Sequence, residues 1–69
     1  MSDLKTQFGR RLRILRKQAD LTQEALAEST GLTIESISNI ERGIFGPKFD
    51  NLEKIAKVIN VEVKELFEF

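Results

Sequence analysis

Cysteine and histidine are both missing from the 69-residue chain, as are tyrosine and tryptophan. Without thiolate or imidazole, a zinc site has no ligand set, and the usual nucleophiles and general bases are gone. No glycine-rich phosphate loop follows a strand pattern, and no two carboxylates converge at helical spacing. An enzyme is therefore not expected, and neither are a metal, another cofactor or a small-molecule ligand. The lack of cysteine also rules out a disulfide staple, which fits a reducing compartment. No apolar run is long enough to cross a bilayer, and the start, MSDLKTQFGRRL, lacks a signal-peptide hydrophobic region. The expectation is a cytoplasmic protein without a membrane role. A chain this short has room for one domain, residues 1–69, near the lower size limit for independent stability.

Net charge is lacking too. Eleven basic side chains balance eleven acidic ones, which argues against a nucleic-acid partner until the distribution is read. Within residues 1–17, Lys5, Arg10, Arg11, Arg13, Arg16 and Lys17 face only Asp3, a surplus of +5; residues 18–69 carry the matching −5. A basic first helix can face phosphates while the acidic remainder points away, although a merely solvated basic helix has the same composition.

What is present is organised around Thr22 to Gly43, TQEALAESTGLTIESISNIERG. Thr22 and Thr33 are N-cap residue types, each opening a short amphipathic segment. The first segment, Gln23 to Ser29, turns Leu26 and Ala27 inward. The second carries Ile37, Ile40 and Glu41 on one face. Gly31 between them can adopt the left-handed conformation that ends one helix and redirects the chain. A small side chain at Ala27 lets the helices approach where Ile37 crosses. That is the geometry of a helix-turn-helix, whose second helix is free to enter a DNA major groove.

The same residues resemble the lambda-repressor-like (Xre/Cro-type) helix-turn-helix family. The likeness runs through TQEALA, Gly31, the stretch Ile37 to Gly43, Pro47 and Leu52 to Val61, and back to Arg16. It implies an all-α, five-helix DNA-binding domain with the helix-turn-helix at helices 2 and 3. It further implies that Arg16 of helix 1 pairs with Glu41, and that the C-terminal region forms a dimer contact. Free-standing domains of this size resemble small repressors and the controllers of restriction–modification systems.

Around this unit, helix 1 is predicted from about Leu4 to Gln18, with Leu4, Phe8, Leu12, Leu15 and Ala19 in one apolar stripe. Arg10, Arg13 and Lys17 fall opposite and are candidates for phosphate contact, while Arg16 lies at the edge of the stripe. The IFGPKFD loop contributes Lys48 as a further phosphate candidate. Phe45 is open between packing and a partner contact, and Phe49 is expected as a core anchor. Helix 4 spans about Phe49 to Ile59, or starts a residue later with an Asp50–Glu53 capping box. Asn60 takes the left-handed position after it. A short fifth helix from about Glu62 to Phe67 buries Leu66 and leaves Val63, Phe67 and Phe69 for a two-fold interface.

Reading a duplex needs phosphate contacts for register and base contacts for sequence. Gln23, at the start of helix 2, is a phosphate anchor or a local cap, and the resemblance favours the anchor. Arg42 is the other phosphate candidate in the helix-turn-helix unit. In helix 3 the outward arc offers Ser38 and Asn39, with Thr33, Ile34 and Glu35 at the leading end. Asn39 suits adenine, the methyl groups of Thr33 and Ile34 suit thymine, and Glu35 is tolerable only if it accepts from cytosine. The partner expected is a double-stranded operator bound by a homodimer. The rival reading is a protein-interaction module of the same fold, such as an antitoxin or adaptor.

Overall fold

The turns between helices are closed by hydrogen bonds of their own. In the structure, a computed structural model describing residues 3–69, α1 spans Leu4–Gln18, α2 Gln23–Thr30, α3 Ile34–Glu41 and α4 Phe49–Ile59. A 3-10 turn, Val63–Phe67, follows. After α1, the Leu21 N–H bonds to the Arg16 carbonyl at 3.1 Å and the Asp20 N–H to that of Lys17 at 3.0 Å. This crossed pair is the Schellman arrangement, and Asp20 takes the left-handed conformation it requires, with φ +58°. The same pair of bonds closes α3, around Gly43, and α4, around Asn60. Each motif delivers an apolar residue next, and Leu21 and Val61 pack on the core.

The helix starts are equally well specified. Asp3, Thr22 and Thr33 each accept the backbone N–H three residues on, at 3.0 Å, satisfying donors that a helix leaves free. At α4 the cap position is Lys48, with no side-chain bond. The helix therefore starts at Phe49 without the Asp50–Glu53 box, and Asp50 is left as an acid in the first turn, favourable to the dipole. The expected fifth helix is the 3-10 turn. Five residues cannot build a stable α-helix, and a capping box between Glu62 and Glu65 fixes the turn's start.

The core is one cluster drawn from every element, with Leu12, Leu26, Ile37, Ile40, Ile55 and Leu66 fully enclosed. Two sequence expectations fail at its margin. Leu4 is 61% exposed and Phe49 85%, so neither is a core residue. Each is the first residue of its helix, and helical side chains tilt toward the N-terminus. Both project past the core into an open apolar groove of about 530 Å³, which Phe8, Pro47, Leu52 and Phe67 also line.

Gly9 sets how α1 meets α3. A Cβ there would lie 2.4 Å from the Ile40 carbonyl oxygen and 2.6 Å from that of Glu41. The α1 backbone thus passes directly over the carbonyl end of α3, at a distance only glycine allows.

Candidate nucleic-acid interface

Beside that crossing, a polar seam joins α1, α2 and α3. Arg16 and Glu41 are both buried, a costly arrangement unless every charge is paired and hydrogen-bonded. The Arg16 Nε donates to Glu41 Oε2 at 2.6 Å and Nη2 to Oε1 at 3.1 Å, a fork-to-fork contact. Its Nη1 donates to the Leu21 carbonyl at 2.7 Å, tying in the turn after α1. The Gln23 side-chain amide, opening α2, donates to Glu41 Oε1 at 3.1 Å. Among the described residues no buried side-chain nitrogen or oxygen lacks a partner.

On the far side of α3 the expected arc is present on the surface. Thr33, Ile34, Glu35 and Arg42 are exposed, and Ser38 and Asn39 are half-buried. The Asn39 amide makes no side-chain hydrogen bond among the described residues, so its donor and acceptor are both available. Thr33 differs. Its hydroxyl accepts from the Ser36 N–H and donates to the Ser36 Oγ at 2.9 Å. The hydroxyl is thus committed to its own helix, and only the methyl is left to meet a base. Thr33 is thus the N-cap that its residue type implied, with Ser36 three residues on as its partner.

The candidate phosphate ligands divide by location. Lys48 is exposed in the loop after α3, beside the half-exposed Ile44 and Phe45. Arg10, Arg13 and Lys17 are exposed on α1. Arg13 is one helical turn from both Gly9 and Arg16, the residues that touch α3, and so borders the seam. Arg10 and Lys17 stand further round. The basic surplus of α1 is smaller than its composition suggests, because two of its arginines are occupied internally. Arg16 is in the seam, and Arg11 Nε donates to the Glu65 carbonyl at 2.9 Å, with Nη2 3.9 Å from Glu68. Nothing in the sequence marked Arg11 as a clamp on the C-terminal turn. Beside that clamp the Phe8 and Phe67 rings lie 5.1 Å apart, and Val63, Phe67 and Phe69 keep exposed surface.

An N-cap, a left-handed glycine and a second helix with a free polar arc together make a helix-turn-helix unit. Residues 12–66 match the helix-turn-helix family HTH_3. The chain belongs to this Xre-like family. Within it, the control protein C.BamHI of Bacillus amyloliquefaciens is 36% identical over 69 residues, covering 99% of this chain and 85% of that protein. The control protein C.MunI of a Mycoplasma species is 40% identical over 68 residues, covering 97% and 92%. The crystal structure of the restriction–modification controller protein C.AhdI from Aeromonas hydrophila superposes with a TM-score of 0.87 at 38% identity, covering 91% of this chain and 96% of that one. All three of these relatives are control or controller proteins by name.

Proposed function

We propose that this HTH_3 protein is a transcriptional regulator that binds a (pseudo)palindromic DNA operator as a homodimer, with α3 of each copy in the major groove, and that it controls its own promoter. The observation carrying this is the free polar arc of α3, set beside the capped start of α2. Asn39 reads adenine through its unengaged amide, and Ser38 bonds a neighbouring base edge. Thr33 and Ile34 present methyl groups to thymine, and Glu35 accepts from cytosine N4. Gln23, Arg42 and Lys48 hold phosphates at the helix-turn-helix, with Arg13 at the seam and Arg10 and Lys17 reaching outlying backbone. Arg16 and Glu41 serve as scaffold.

One domain covers only a few base pairs, and two copies with α3 helices about 34 Å apart read half-sites one helical turn apart. The exposed Val63, Phe67 and Phe69 support such a pairing, since apolar surface of this kind favours cover. The strong similarity to control proteins across nearly the full length supports an autoregulatory role. The exposed Ile34, Ile44 and Phe45 favour the rival reading, a protein-binding module.

Selection of duplexes from a random-sequence pool, followed by titration of the winner, separates the two. A regulator enriches a two-fold symmetric site, and Asn39→Ala then costs about 1–3 kcal/mol and relaxes one position in each half. No enrichment above the pool, with folded protein, sinks the DNA reading.

A further inference from the structure

The Gln23 amide is held before any DNA arrives, and the holding group is a carboxylate that does not need it. Arg16 alone gives each Glu41 oxygen a charge-assisted bond, Nε to Oε2 and Nη2 to Oε1. The bond from Gln23 adds a second donor to Oε1. Its ordering effect therefore falls on Gln23, a partly exposed side chain that otherwise samples many rotamers. With one amide proton committed to Glu41, the other proton and the Oε1 of Gln23 have no partner among the described residues. The ion pair is neutral overall, so the support adds no net negative charge beside an incoming phosphate.

We infer that Glu41 is a positioning residue for DNA binding: it fixes the Gln23 amide in its phosphate-ready direction and so links the buried Arg16 pair to the interface. This rests on the proposed role of Gln23 as a phosphate anchor. Glu41 itself touches no DNA. Pre-ordering one long side chain is worth about tenfold in affinity per subunit.

The test uses the full chain and the duplex it selects from a random pool. Three variants are compared with the parent: Gln23→Ala, the paired replacement Arg16→Met with Glu41→Leu, and all three changes together. Swapping both charges for apolar groups removes the support without leaving a lone buried charge. Gln23→Ala is expected to weaken binding about tenfold per subunit, the paired replacement to weaken it comparably, and the triple variant to lose nothing more. The slope of log affinity against log salt stays at the parent value, because a neutral amide releases no counterion. A loss that flattens the slope means that cationic contacts have shifted and that the pair acts only through the fold, which overturns the inference.

Parent-like binding by the paired variant, or additive losses in the triple variant, also overturns it while leaving Gln23 as an anchor. Parent-like binding by Gln23→Ala removes the anchor reading and the inference together. Should the paired variant not fold, the intact chain decides by NMR. Gln23 side-chain amide protons that are shifted and exchange more slowly than those of exposed Gln18 support the inference, and indistinguishable ones overturn it.

Discussion

Two regions of this small protein treat water in opposite ways. At the α1–α3 seam, two full charges are dry, and every polar atom of the pair has a partner. At the groove between the starts of α1 and α4, large apolar side chains are wet. The seam is complete without any other molecule, so it can present α3 and Gln23 in fixed register. The groove and the neighbouring C-terminal patch leave apolar side chains uncovered. Their exposed leucine and phenylalanine surface gains only when something covers it. The contrast matches the division proposed above, with reading on one side and pairing on the other.

Breaking the seam has the largest effect. Glu41→Ala leaves the Arg16 guanidinium buried with only the Leu21 carbonyl, and is expected to cost about 3–5 kcal/mol. For a domain of this size that is most of the stability, so denaturant titration should find the variant largely unfolded. Gly9→Ala comes next and pits two effects against each other. Helix propensity favours alanine by about 1 kcal/mol. The new Cβ meets backbone carbonyls at 2.4 and 2.6 Å, however, and these cannot swing aside as a side chain would. Overpacking at about 3 kcal/mol wins, and the net loss should lower Tm by roughly 10 °C.

At the groove the balance reverses. Phe49→Ser should change the stability of the dilute chain by no more than about 0.5 kcal/mol, as for other exposed sites. If the groove and its Phe67 wall belong to the pairing surface, the same variant sediments as a monomer at concentrations where the parent is a dimer. An unchanged sedimentation profile would confine pairing to the Val63–Phe69 patch.

The smallest effect is at the start of α1. Hydrogen bonding from Thr6, through its side chain first and its backbone N–H second, holds the Asp3 carboxyl below its usual value of 3.8. A folded value below the unfolded one means that the cap is at full strength above the usual value and fades as pH falls through the folded one. Acidification below about pH 4 should release the first turn of α1, seen as a lower protection of the Thr6 amide relative to its intrinsic exchange rate at that pH, while α3 stays protected. In Asp3→Ala that turn exchanges fast at neutral pH as well.

Much of this was legible in the sequence because local rules and the core agree. The threonine caps, Gly31, Asn60 and the apolar stripe of α1 each follow from chemistry within a few residues. The failures share one cause. Leu4 fits its helical stripe and Phe49 stands as an apolar helix start, but residue type and projection have no ends, and they cannot show that the first residue of a helix overhangs the core. Arg11 and the Gln23–Glu41 bond were invisible for a related reason: each depends on where a distant element lies, and a flexible polar side chain leaves no periodic trace. Gly9 did leave a signal, a glycine inside an otherwise strong helix, which marks a close approach without saying to what.

That close approach has a mechanical consequence. Most helix crossings are cushioned by side chains that can change rotamer, and small displacements die out there. At Gly9 backbone lies on backbone, and no compliant layer separates α1 from the end of α3. A displacement of α1 at this point therefore meets the end of α3 with no side chain to absorb it. Leu4, at the rim of the groove, lies about one and a half turns along α1. A load on that rim therefore bears on the same helix whose backbone rests on α3.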